Sequence, residues 1–209
     1  MVNIPNASKG QYDTPMLRFI AGVLVLWLAA VIFGAASGYL ARLYMPFVAL
    51  IVAATIVAPT MWYFASPRFR AVGQDVGHYR IMLFHIWRIP AALLFFWYGF
   101  QGLLPSAFWI LAGTGDLIAG SYALYLAVRP ESSKTYWSFH RFGFADFLVA
   151  VGTGLTFTLL QDPRMGPIAS LPLALIPLFG VGVSGASHLM AFDMLRRGVG
   201  FGTSPEDEK

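Results

Sequence analysis

Six ionisable side chains sit inside otherwise apolar stretches of this chain. They are His85 and Arg88 in IMLFHIWRIPAALLFFWYGFQG, Asp116 in SAFWILAGTGDLIAGSYALYL, His140 and Asp146 in SFHRFGFADFLVAVGTG, and His188 in VGVSGASHLMAF. Arg88 is the most demanding, because an unpaired arginine at the centre of a membrane helix costs ~2.5 to 3.5 kcal/mol even on lenient insertion scales. It requires a carboxylate, and Asp146 and Asp116 are the candidates. With Asp146 as the expected partner, Asp116 is left to take a proton, a histidine or a cation. Neutral imidazole is the commonest ligand of zinc, copper and iron. His85, His140 and His188 could therefore hold a transition metal, or two of them could clamp a haem. Histidines at helix interfaces also serve simply by hydrogen-bonding across a bundle. The sequence has no HxxxH or ExxH spacing, so a metal site depends on tertiary arrangement.

Local spacing adds detail. His85 and Arg88, three apart, share a helix face. Pro90 cannot donate, which frees the carbonyl of Ile86 and predicts a kink beside them. Gly113 precedes Asp116 by three residues and Gly143 precedes Asp146 by three, so each carboxylate has a small residue on its own face where a neighbour can approach. GTGDLIAG thus aligns with GFADFLVA as a weak internal echo, which would be an inverted repeat if the two segments run in opposite directions. Gly180, Ser184, Ser187, His188 and Ala191 follow a helical period and form one small, polar face. His78, in GQDVGHYR, is expected to be solvated.

The elements that carry these residues follow from composition. The chain of 209 residues is 57% hydrophobic and only 11% charged, against roughly a quarter charged in a soluble domain. Runs of about 20 apolar residues suffice to cross a bilayer. Six appear, at about 16–38, 46–65, 81–102, 106–128, 139–160 and 171–194, which predicts an all-α, polytopic six-helix bundle in one domain (16–194). A polar N-terminal segment (1–15) and a polar tail (195–209) flank it, and the first span reads as a retained anchor. The turn at LLPS makes the third and fourth spans an antiparallel hairpin.

Basic residues set orientation. Lys9, Arg18, Arg68, Arg70, Arg80, Arg129, Lys134, Arg141, Arg196, Arg197 and Lys209 fall on one side, and only Arg42 and Arg164 on the other. Both termini are then cytoplasmic, and the net charge of +4 is a topology signal with no nucleic-acid meaning. Aromatic clusters at 95–100, 108–109 and 135–139 sit where interfaces should be. Given these spans, His85, Arg88, His140, Asp146 and His188 share the cytoplasmic half on three helices, with Asp116 just beyond, so a common pocket is geometrically possible.

Several chemistries drop out. The chain has no cysteine, which removes disulfides, iron–sulfur clusters and thiolate metal sites. Every lysine lies outside the spans, so a retinal Schiff base has no anchor. No Walker loop, dinucleotide fingerprint or nucleophile elbow is present.

HIWRIPAALLFF, the PSAF turn, GTGDLIAG and FGFADFLVAVGTG together resemble a broad group of small bacterial inner-membrane proteins without an assigned activity, over about residues 81–193. The resemblance implies a multi-pass bacterial inner-membrane protein and transfers no functional residue. Three functions fit the residues: ligand binding or proton-coupled transport of a small solute or ion through the His/Arg/Asp pocket; a haem- or metal-binding redox protein; or a structural subunit whose glycine faces dock a second copy or another membrane protein.

Overall fold

The computed structural model describes residues 13–130 and 132–201, which are helices joined by short turns, with no strand among them. Most of the expected polar N-terminal segment and C-terminal tail, with Lys9 and Lys209, lies outside the described residues. Helix α1 (Thr14–Ala36) is followed by a 3-10 turn and then α2 (Met45–Ala65), α3 (Pro67–Phe84) and α4 (Arg88–Phe100). Helices α5 (Ser106–Leu126), α6 (Ser133–Leu159) and α7 (Val181–Arg197) complete the bundle. Among the described residues six helical stretches are long and apolar enough to cross a membrane.

Their boundaries depart from expectation at two places. Residues 67–80, expected as a polar cytoplasmic loop, are helical, and α3 runs through a short 3-10 turn into α4 as one stretch of 34 residues. Gly77 makes this possible. Its φ of +75° falls in the left-handed region that costs glycine little, and it joins two helical pieces across a bend. The last span begins at Ile176, not at 171, with one turn of π-helix (Ile176–Gly180) feeding α7. Residues 163–169, between α6 and this turn, form a 3-10 helix.

Glycine contacts set the packing register. A Cβ at Gly99, Gly113 or Gly120 would strike Trp109, Phe96 or Ile89 respectively, three contacts in antiparallel sequence that define the α4–α5 hairpin. Its turn closes with Gly102 at φ +72° and Leu103 N–H donating to Tyr98 C=O at 3.0 Å. Helix α7 uses glycine likewise. Cβ atoms at Gly180, Gly182 and Gly185 would meet Trp87, Thr55 with Trp27, and Phe147, so α2, α6 and the α3–α4 junction close on one helix. Outward faces are apolar: Leu26, Phe33, Trp97 and Val128 are all more than 60% exposed, a surface suited to lipid rather than water.

Candidate functional site

The α3–α4 junction builds the site's centre. Pro90 offers no N–H to the Ile86 carbonyl, and the preceding residues His85–Trp87 tighten into a 3-10 turn, with Arg88 N–H donating to His85 C=O. In a 3-10 turn residues three apart eclipse, so His85 and Arg88 project along one line into the bundle. Both are buried.

Arg88 is held from three directions. Its Nε donates to Asp116 Oδ1 at 2.6 Å, its Nη2 to Asp146 Oδ2, and its Nη1 reaches Gly143 C=O at 3.5 Å. The expected pairing with Asp146 is present, but Asp116 is not left over: both carboxylates grip the same guanidinium. With both ionised the cluster carries a net charge of −1. Gly115 makes the arrangement possible, since a Cβ there would fall on the Asp146 carboxylate. It was invisible as one glycine among 21.

The three histidines converge, and all are fully buried. His85 comes from the junction, His140 from α6 and His188 from α7. One nitrogen from each lies within 4.8 Å of the other two. Nδ1 of His140 is 2.9 Å from Nδ1 of His188, and the rings of His85 and His188 stack with centroids 4.3 Å apart. Three ring nitrogens, His85 Nδ1, His140 Nε2 and His188 Nε2, are buried without a hydrogen-bond partner among the described residues. Such orphaned atoms are rare in folded proteins and require an explanation.

Two serines fix the state of His85. The Ser187 hydroxyl has a single proton, which it donates to Ser184 C=O at 2.8 Å. With the proton placed there, the 3.1 Å contact with His85 Nε2 is made with the imidazole as donor. A neutral His85 protonated at Nε2 carries a bare lone pair at Nδ1, the orphaned atom. This is the state of a metal-ligating histidine: one nitrogen donates to a protein oxygen and the other is free. Ser184 also accepts from Trp87 Nε1 at 3.1 Å, so the α7 face expected from Gly180, Ser184, Ser187, His188 and Ala191 receives the whole junction.

Gly143 separates the two clusters. A Cβ there would lie 2.6 Å from His188 Cε1 and 3.5 Å from Arg88 Nη1, so the imidazole and the guanidinium rest against the same patch of α6 backbone. His78, expected in solvent, is instead fully buried, with Nε2 3.0 Å from Val199 C=O and its backbone N–H donating to Gly200 C=O. It lies beside the cluster, its ring centroid 6.5 Å from that of His140.

Residues 45–196 match the model of a family described as a domain of unknown function (DUF8737). No curated protein matches the chain, and no solved structure does. The matched region contains all six site residues and begins after α1.

Proposed function

We propose that this chain, which belongs to the DUF8737 family, binds a transition-metal ion inside the membrane through His85, His140 and His188. The carrying observation is the convergence of three buried imidazoles, each offering a nitrogen within 4.8 Å of the other two, together with the orphaned Nδ1 of His85, whose Nε2 contacts Ser187. Imidazole sets of this kind suit zinc, copper and iron. The 2.9 Å between the Nδ1 atoms of His140 and His188 supports the same reading. Two ligands at ~2.0 to 2.1 Å on a tetrahedral ion stand about 3.3 Å apart, so an ion replaces the shared proton with little movement. Three protein ligands leave a fourth position for water or substrate.

Charge supports it as well. A divalent ion in a bilayer needs compensation, and three neutral imidazoles supply none. The Arg88–Asp116–Asp146 cluster across Gly143, which carries a net −1 when both carboxylates are ionised, supplies part of it. A haem fits less well. Two axial histidines face one another across a macrocycle, whereas His85 and His188 lie ring on ring with Phe139 packed against both.

The test is metal analysis of protein purified in mild detergent from metal-replete cells. About one ion per chain is expected, falling at least tenfold in His85→Ala, His140→Ala and His188→Ala. Folded wild-type protein without metal overturns the reading, and a Soret band would favour haem.

A second reading rests on the guanidinium between two carboxylates. Whichever carboxylate is protonated can exchange that proton, which suits proton-coupled passage of a small solute or ion. Flux in reconstituted vesicles that is unchanged in Asp116→Asn would remove it. In either case the basic residues support a plasma-membrane protein with both termini cytoplasmic.

A further inference from the structure

A cavity of about 380 Å³ lies between α2, α4, α5 and α6, apart from the histidines. Its two ends differ in chemistry. Leu50 on α2 and Leu155 on α6 line one part and are 65% and 42% exposed, so the cavity reaches the face that lipid covers. At the other end stand Arg88 and Asp116, while the third polar side chain of the wall, Thr158, lies one turn beyond Gly154 on α6 and donates its hydroxyl to that residue's C=O at 2.7 Å. Between the two ends the wall is apolar and includes four aromatic side chains, Trp87, Phe95, Phe108 and Phe147. The volume lies in the range of small-molecule sites.

We propose that this cavity binds a neutral, lipid-soluble aromatic compound bearing ring hydroxyl or oxo groups, of the quinol and quinone class, with its ring at Arg88 and Asp116 and its tail toward the bilayer. Each part of that description answers a feature of the wall. Entry from a lipid-facing side selects a membrane-soluble ligand. The aromatic residues select a flat ring, since ring pairs add ~0.5 to 1.5 kcal/mol beyond area burial. The polar end selects the head group. Arg88 spends three of its five N–H groups on Asp116, Asp146 and Gly143, which leaves donors for a ring oxygen. Asp116 meets Arg88 through Oδ1, so Oδ2 can accept from a ring hydroxyl. A carboxylate head is repelled by the cluster's net −1 when both aspartates are ionised. An ammonium head offers Arg88 no acceptor. A ring hydroxyl accepts from Arg88 and donates to Asp116, matching both residues, whereas a ring oxo group accepts from Arg88 alone and is expected to bind more weakly.

Binding is measured by titration calorimetry on the full chain in lipid nanodiscs, with empty discs as background. The probes are a decyl-substituted benzoquinol and the corresponding benzoquinone, compared with decanoate, decylamine and decane. Saturable binding at one site per chain is expected for the first two, with the other three failing to compete at tenfold excess. Equal binding of decane, decanoate or decylamine overturns the proposal, and so does the absence of saturable quinol or quinone binding. This comparison is decided on the wild-type protein alone. Ala112→Leu and Val151→Phe, which fill the cavity, are each expected to weaken binding at least tenfold. Unchanged affinity in both folded variants also overturns it. Chelator treatment is expected to leave quinol binding unaltered, which separates this site from the histidines.

Discussion

The Nδ1 atoms of His140 and His188 face one another at 2.9 Å inside a fully buried cluster. A hydrogen bond between two imidazole nitrogens needs a proton on one and a lone pair on the other. Two neutral rings sharing that bond are therefore opposite tautomers: one is protonated at Nε2, the other bare there. His188 is the more deeply engaged of the two. It also stacks on His85 and rests against Gly143.

This asymmetry orders the variants. His140→Ala strands one acceptor or donor in the core, at a cost of about 1 to 3 kcal/mol. His188→Ala does the same and also removes the stack on His85, so it is expected to lower the melting temperature more. The double variant should be less destabilised than the sum, by about 0.5 to 3 kcal/mol, because the pair shares one bond. Thermal melts of the three proteins with metal analysis check this. Additive losses with metal retained would show that the histidines act separately and ligate nothing.

Close approach at glycine makes a sharper prediction. In Gly115→Ala the new methyl group occupies the place of the Asp146 carboxylate, so Asp146 must leave Arg88 or α5 must separate from α6. Displacing Asp146 while it stays charged leaves a carboxylate without its cation inside the bundle, at a cost of about 3 to 5 kcal/mol. Gly152→Ala, on the same α6 as Asp146, meets nothing within 4 Å. It is expected to be neutral or to stabilise by up to about 1 kcal/mol through helix propensity. Melting temperatures measured side by side decide it, and similar behaviour of the two variants would contradict the packing described.

Acid is expected to loosen α1 first. Asp13 caps this helix by accepting from Met16 N–H at 3.0 Å, and it receives two bonds from Arg68 on α3. The Arg68 guanidinium, followed by the Met16 N–H, holds its carboxyl below the usual value of 3.8. A carboxyl depressed in the folded state stabilises above its unfolded value and loses that contribution as pH falls through the folded one. Hydrogen-exchange protection at the start of α1, taken relative to the intrinsic rate at each pH, should therefore fall below about pH 4 in the wild-type chain. Asp13→Asn should exchange faster at neutral pH, with a flatter acid response.

Much of this was legible in the sequence because charge is costly in an apolar segment. Arg88, Asp116 and Asp146 stand out for that reason, and the six spans follow from run length. The pairing was only half legible. One arginine was assigned one aspartate, since nothing local says that α5 and α6 both deliver a carboxylate to it. That depends on Gly115, whose role exists only once α6 lies against it. Convergence of the histidines was likewise a question of helix rotation, which no single helix carries. His78 was misplaced because GQDVGHYR is polar enough to read as a loop. Gly77 bends the chain instead of ending the helix, and the Val199–Gly200 backbone covers the imidazole.

The charge cluster yields the last prediction. Two carboxylates on one guanidinium are partly redundant: removing either leaves Arg88 paired. Asp116→Asn and Asp146→Asn each keep a hydrogen-bond acceptor near Arg88, and each is expected to cost about 1 to 2 kcal/mol. The double variant leaves a buried guanidinium with no anion, a cost of about 3 to 5 kcal/mol or more, exceeding the sum of the single effects. Arg88→Met inverts the problem, setting two buried carboxylates against each other without a cation. It is expected to be the least stable single variant, and adding both Asp→Asn changes should restore part of the loss, because the triple variant buries no net charge. Detergent-solubilised melting temperatures of the five proteins, with the wild type as reference, measure the pattern. Strict additivity of the two Asp→Asn effects, or failure of the triple variant to exceed Arg88→Met in stability, would mean that Arg88 is not the cation both aspartates depend on.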